Sequence, residues 1–204
     1  GVPARAAQRP GAIRHGHQGI TTIPLEREIK LRFDSLTAAR TAALATGAGV
    51  LRPRRLQQDT LFDTVDGSLR DQGCTLRVRL DGDRCILTYK GPVHPGVMKV
   101  RDEYETQVER GDALLQILGA LGYVMGFRYE KYREEFQAPG LVVAIDDTPI
   151  GVYVELEGNE PEIRAAAALM GRTEEDFIVA SYRKLFKAHC KATGLAAAHM
   201  TFSA

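Results

Sequence analysis

Glu26-Arg27-Glu28-Ile29-Lys30-Leu31-Arg32-Phe33 is the stretch whose reading decides the fold. In an extended chain successive side chains point to opposite faces, so Glu26, Glu28, Lys30 and Arg32 share one face. Ile29, Leu31 and Phe33 make the other face mostly apolar. The same alternation returns in Leu76-Arg77-Val78-Arg79-Leu80, where two arginines oppose three aliphatic residues. Val152, Val154 and Leu156 oppose Glu155 and Glu157. Less cleanly, Arg101, Glu103 and Glu105 share a face, Lys131 and Arg133 share another, and Lys90 ends a strand on the parity of Thr88.

Alternation alone marks any antiparallel sheet with one side in water. Solvated faces usually mix Ser, Thr, Gln and Lys, whereas these repeat Glu-x-Glu three times and pair cations at Arg77/Arg79 and Lys131/Arg133. Like charges two residues apart on a strand lie about 7 Å from each other and repel. A multiply charged species held between them explains the pattern. Guanidinium and ammonium groups clamp phosphate oxygens. Carboxylates cannot, but they hold Mg²⁺ or Mn²⁺, which bridge to phosphate. A nucleic-acid groove would keep the bases and reject most of the acids, so the mixture favours a compact polyphosphate ligand.

Bulk properties agree. The 204 residues suffice for one well-cored domain. With 27 Lys+Arg against 26 Asp+Glu the formal net charge is +1, which argues against a general nucleic-acid or membrane binder. Cys74, Cys85 and Cys190 are widely spaced with no CxxC pair, so neither a zinc site nor a disulfide framework is expected. His94 and His189 lie off the charged faces and read as surface or packing residues. No apolar run is long enough to span a bilayer and none near the start resembles a signal peptide, so a cytoplasmic enzyme is the default expectation.

Residues 1–22, which include His15 and His17, lack hydrophobic periodicity and read as a disordered arm or an expression remnant. Residues 23–192 read as one domain and 193–204 as a flexible tail. Strands are expected at Leu25–Phe33, Arg55–Asp63, Cys74–Leu80, Arg84–Lys90, Val97–Val108, Phe127–Gln137, Leu141–Asp146 and Gly151–Gly158. Helices are expected at Ser35–Gly47, Asp112–Leu121, Glu160–Met170 and Thr173–Ala192, the last opened by Thr-Glu-Glu-Asp. About eight strands with short turns imply an α+β chain: a closed eight-stranded antiparallel barrel with flanking helices.

These residues resemble the CYTH, or triphosphate tunnel metalloenzyme, superfamily. Glu26-Arg27-Glu28-Ile29-Lys30 is similar to its N-terminal ExExK motif. Gln58-Asp59-Thr60-Leu61-Phe62-Asp63-Thr64, the Leu76–Arg79 segment, Thr88-Tyr89-Lys90-Gly91-Pro92, Arg101–Glu105, Lys131-Tyr132-Arg133 and Glu155-Leu156-Glu157 follow in the family's order. One departure is Leu61, where the family often has an aromatic residue. The resemblance implies a tunnel that binds a triphosphate with divalent metal. On it Glu26, Glu28, Glu155 and Glu157 would hold metal, with Glu103 and Glu105 contributing. Lys30, Arg77, Arg79, Lys90, Arg101, Lys131 and Arg133 would line the phosphate path, and Glu26, Glu28 and Lys30 would be catalytic. A homodimer is compatible with such a barrel.

The superfamily includes class IV adenylyl cyclases, thiamine triphosphatases and inorganic tripolyphosphatases. The substrate is therefore expected to be ATP, tripolyphosphate or thiamine triphosphate. Gly171–Phe177 leading into Ser181-Tyr182-Arg183-Lys184-Leu185-Phe186 resembles the ending of bacterial class IV cyclases and leans the reading toward ATP cyclisation. Some hydrolases of the superfamily carry a lysine just after the corresponding serine, where this chain has Tyr182. Tyr182, Leu185 and Phe186 read here as an apolar helix stripe packed on the barrel. Triphosphate hydrolysis is the alternative. A non-catalytic polyphosphate-binding module is a further one, disfavoured because binding alone would not need every Glu-x-Glu pair.

Overall fold

A strand with one ionic and one apolar face needs counter-charge on the first side and cover on the second. The computed structural model describes residues 25–202 and meets both needs with a barrel that carries its ions inside. The strands are β1 (Leu25–Phe33), β2 (Gly49–Thr64), β3 (Thr75–Asp81), β4 (Arg84–Lys90), β5 (Lys99–Val108), β6 (Tyr123–Ala138), β7 (Leu141–Thr148) and β8 (Gly151–Gly158). They close in the order β1-β5-β4-β3-β2-β6-β7-β8, antiparallel throughout, which leaves no free edge. The first half of β1 pairs with β5 (Glu26 opposite Arg101) and the second half with β8 (Lys30 opposite Glu155).

The expected bounds of β1, β4 and β8 are those observed, whereas β2 and β6 each run to 16 residues. These two pair along most of their length, with a register shift between Arg52 and Arg55. Pro53 falls inside that shift, where a residue with no N–H costs the ladder nothing.

Among the described residues, five α-helices decorate the barrel: α1 (Leu36–Ala45), α2 (Ser68–Asp71), α3 (Gly111–Ala120), α4 (Glu160–Leu169) and α5 (Tyr182–Thr193). Ser35 caps α1 by accepting from the Ala38 N–H. Because the lumen is ionic, the apolar core lies outside the barrel wall. Ile29, Leu31, Val143, Ile145, Val154 and Leu156 turn outward against Ala39 and Ala43 of α1 and Ile163 and Ala167 of α4. A second layer joins Val78 and Cys85 to Leu114 and Leu118 of α3.

Two expectations are corrected. Thr173–Ala192 is not one helix. Glu174–Asp176 forms a single 3₁₀ turn, and the chain then extends so that Ile178 exchanges both backbone hydrogen bonds with Lys30 at 2.9 Å. Ser181 caps a fresh helix, α5, through the Lys184 N–H. Nor is the described part of the expected tail, 193–202, free. Met200 is fully buried, and its backbone pairs with Arg128 and Glu130 of β6 at 3.0 and 2.8 Å. Phe202 packs on the Tyr132 ring at 5.1 Å between centroids. The expected arm over 1–22 lies outside the described residues. Among the described residues no helix is long and apolar enough to cross a membrane.

Candidate active site

The barrel encloses a cavity of about 1060 Å³, the scale of a small-molecule site. Strand order places β1, flanked by β5 and β8, diametrically across from β2, flanked by β3 and β6. The lumen therefore has two unlike walls. Glu26, Glu28, Glu103, Glu105, Glu155 and Glu157 line the β1/β5/β8 wall, interleaved with Lys30, Lys99 and Arg101. Arg77, Arg79, Lys131 and Arg133 line the β3/β6 wall, and Lys90 of β4 reaches in beside Glu26. Every residue singled out from the sequence as a site candidate faces this one cavity. Arg32 shares their parity but not their place: it is exposed and donates to the Tyr153 hydroxyl at 3.3 Å.

On the carboxylate wall, Glu26 accepts from Lys90 Nζ at 2.5 Å and from Arg101 Nε at 3.0 Å. Glu28 accepts from Lys30 Nζ at 3.0 Å and from Lys99. Lys30 also lies 3.2 Å from Glu155, which in turn meets Arg133. Burial pushes all three carboxyls upward, but these cations outweigh it and hold them ionised below the usual range. Lys99 goes the other way: burial outweighs the pull of Glu28 and draws its pKa down to about 8.

Glu157 differs from its neighbours. It sits directly opposite Glu28 in the β1–β8 ladder and has no ion-pair partner among the described residues. Its surface meets the water of the lumen, yet enclosure by the walls, with the charges of Glu26 and Glu28, pushes its pKa up to about 7. Glu103 is likewise raised by burial, against the pull of Lys90 at 2.9 Å.

Two buried aspartates that the sequence reading did not single out organise the opposite wall. Asp59 accepts from Arg79 Nε at 2.8 Å and Nη2 at 3.4 Å, and lies 3.5 Å from Arg77 Nε. Asp146 accepts from Lys131 at 2.8 Å, from Arg133 Nε and Nη2 at 2.6 Å, and from the Tyr182 hydroxyl at 2.7 Å. Each pair of cations two residues apart is thus held by one carboxylate with no solvent exposure. Burial and the nearby Arg133 draw Lys131 down to about 8 despite Asp146. Lys99 was also missed, although its parity with Arg101 was there to be read.

Tyr182 meets its expectation and adds to it. It packs with Tyr129, Tyr153 and Phe186 where α5 abuts the barrel, as an apolar stripe should. Its hydroxyl is nevertheless part of the ionic network, and its ring lies 5.3 Å from Lys30 Nζ and 5.1 Å from Lys131 Nζ. Leu61 packs against this same aromatic cluster, filling the place where an aromatic residue is common.

Among the described residues, no three His, Cys, Asp or Glu side chains are already gathered as metal ligands. The donor chemistry fits a hard cation nonetheless. Glu26, Glu28 and Glu103 are oxygen donors close enough to Glu157 to raise its pKa together, and that mutual repulsion is what a divalent ion relieves. Ammonium groups of Lys30, Lys90 and Lys99 pair with Glu28 and Glu26 on the same wall.

A closed antiparallel barrel with acids and bases on facing inner walls defines a tunnel lined by charges of both signs. The chain belongs to the CYTH domain family, whose sequence profile matches residues 24–182. It is 28% identical over 140 residues to a protein of Methanocaldococcus jannaschii named as a candidate adenylate cyclase, covering 68% of this chain and 79% of that one. Among solved structures, a candidate adenylate cyclase from Vibrio parahaemolyticus superposes with a TM-score of 0.71 at 20% identity, over 80% of this chain and 98% of that one. A Hippeastrum protein described as a candidate adenylyl cyclase with a dominant triphosphatase activity gives 0.59 at 21% identity, over 80% and 96%. These likenesses establish the tunnel fold.

Proposed function

We propose that this chain binds the triphosphate group of a nucleotide or related compound, together with Mg²⁺ or Mn²⁺, inside the lumen, and catalyses phosphoryl or nucleotidyl transfer there. The observation that carries the reading is the pairing of walls: carboxylates that repel one another face guanidinium groups held rigid by buried aspartates.

Glu26, Glu28 and Glu157 would hold the metal, with Glu103 and Glu105 contributing; Glu155, expected beside them, is instead bridged between Lys30 and Arg133. When bound, the metal would neutralise phosphate charge and help orient an in-line displacement. Arg77, Arg79, Lys131 and Arg133 clamp phosphate oxygens from the facing wall, pre-positioned by Asp59 and Asp146. Lys30, Lys90 and Arg101, with Lys99, are occupied by carboxylates here. A cation held by those carboxylates would leave the same groups available to phosphate.

For the reaction itself we propose class IV-type cyclisation: the ribose 3′-oxygen of ATP attacks the α-phosphorus, the new P–O bond closes the ring, and pyrophosphate leaves. The C-terminal Ser181–Phe186 segment and the name of the M. jannaschii relative support this choice. Hydrolysis is the second reading, supported by the shared fold of the Hippeastrum protein and differing only in that water attacks the terminal phosphorus. Product analysis separates them. ATP with Mg²⁺ or Mn²⁺ should yield cyclic AMP and pyrophosphate; orthophosphate from ATP, tripolyphosphate or thiamine triphosphate would replace cyclisation by hydrolysis.

A further inference from the structure

Cations of the barrel walls are each matched to a carboxylate, as Lys30 is to Glu28, Arg79 to Asp59 and Lys131 to Asp146. Arg183, Lys184 and Lys187 of α5 line the same cavity and, among the described residues, have no ion-pair partner. Lys184 and Lys187 are also exposed, so they stand where the lumen opens to solvent. Lys187 follows Arg183 by four residues and Lys184 by three, which puts all three on one side of α5, with neighbouring Cβ atoms about 5–6 Å apart. Like charges so placed repel, and the first turn of α5 holds no acid to offset them.

The two ends of the lumen differ in this respect. Arg183 lies 5.8 Å from the Phe127 ring, near the start of β6. Phe127 pairs with Leu61 of β2, and Asp63, two residues beyond, is already held by the Leu69 and Arg70 N–H groups. Glu135 lies eight residues further along β6, about 26 Å away, at the opposite rim. Arg52 and Arg84 are partly exposed there, but Arg84 is paired with Asp81, and Arg52 lies 3.7 Å from Asp81 and 3.8 Å from Glu135. An anion arriving at that rim meets cations that carboxylates have neutralised. At α5 it meets three that none has.

Exposed, mobile cations add little to the strength of a bound complex, but they raise the rate at which an opposite charge is captured. We infer that α5 is the entry port of the lumen: Arg183, Lys184 and Lys187 draw the triphosphate in at this end and pass it to the cations of the β3/β6 wall. They set the rate of association rather than the stability of the bound state. This rests on the reading that the lumen binds a triphosphate, and it gives that site a route of entry.

Stopped-flow mixing of the full chain with ATP carrying a fluorophore, with Ca²⁺ in place of Mg²⁺ to suppress turnover, reads association and dissociation separately. At about 0.1 M salt charges act over about 10 Å, well short of the distance between the two rims. There Arg183→Gln/Lys184→Gln/Lys187→Gln should slow association about tenfold and leave dissociation within about twofold. Arg52→Gln/Arg84→Gln at the opposite rim should leave association within about twofold. At about 1 M salt, where charges act over about 3 Å, all these proteins should associate at one rate. Arg183→Lys/Lys184→Arg/Lys187→Arg keeps the charges and should keep the fast rate, which separates lost charge from a damaged α5. Unchanged association in the glutamine variant would overturn the proposal, as would a loss carried in dissociation, a slowing that persists at high salt, or equal slowing from Arg52→Gln/Arg84→Gln. A slow charge-keeping variant would make these side chains shaped contacts and overturn it too. If the unaltered protein binds neither the labelled ATP nor, by calorimetry, tripolyphosphate, the triphosphate reading itself falls and takes the entry route with it.

Discussion

The Tyr182 hydroxyl of α5 donates to Asp146 Oδ2 of β7 at 2.7 Å, inside the ionic lumen. The same oxygen takes Lys131 and Arg133, so one carboxylate ties the C-terminal helix to the phosphate-facing wall. Removing Asp146 would leave buried Lys131 without its ion pair and Arg133 with Glu155 alone. Asp146→Ala should cost about 3–5 kcal/mol, the range for breaking a buried ion pair from one side. Tyr182→Phe keeps the ring packing and should cost only about 1–3 kcal/mol. Denaturant unfolding of both variants checks the order; equal losses would mean that the hydroxyl, not the ions, holds α5.

Asp59 gives a test in which simple charge counting predicts the wrong sign. Removing a negative charge beside an anion site should tighten anion binding if Coulomb attraction alone mattered. Asp59, however, fixes the Arg79 guanidinium through two contacts. Asp59→Asn should therefore raise the KM for triphosphate by about tenfold through lost positioning. Initial rates across substrate concentration report it, and a lower KM would overturn the positioning role.

Metal binding should depend on pH through Glu157. Its carboxyl, raised to about 7, carries a proton over the acid side of neutrality and must release it to ligate. Apparent Mg²⁺ or Mn²⁺ affinity should rise with pH up to about 7 and level off above. Calorimetry in buffers of differing ionisation enthalpy would show the proton leaving. Glu157→Gln should flatten the profile in this range, and an unchanged profile would place the titration elsewhere.

Met200 tests the corrected C terminus. It is fully buried against β6 and the aromatic cluster around Phe127 and Tyr129. Met200→Ala should destabilise by about 2–5 kcal/mol, as for other buried methionines. A thermal melt unchanged by the substitution would return this segment to the status of a free tail.

What the sequence made legible followed from parity. Strict alternation in β1, β3 and β8 told which residues shared a face, and repeated like charges told that the face was not ordinary surface. The elements that escaped depend on contacts made far along the chain. Ile178 looks helical by its surroundings but is drawn into extended pairing by the backbone of Lys30. Ala197–Met200 is too short and too plain to announce an anchor, and only the groove along β6 makes Met200 one. Asp146 stands beside Asp147 in an apolar strand, so local pattern cannot say which of the two turns inward. Tyr182 has an apolar ring and a polar tip, and its helical spacing speaks only for the ring.

The most direct test is turnover by the full chain of ATP and tripolyphosphate with Mg²⁺ or Mn²⁺, with a chelator, and with Glu26→Ala/Glu28→Ala. The account predicts metal-dependent turnover that the double substitution lowers by on the order of a hundredfold or more, the scale of losing a principal charge contact in the transition state. Metal-independent turnover, a fully active double variant, or no turnover of either compound would contradict it.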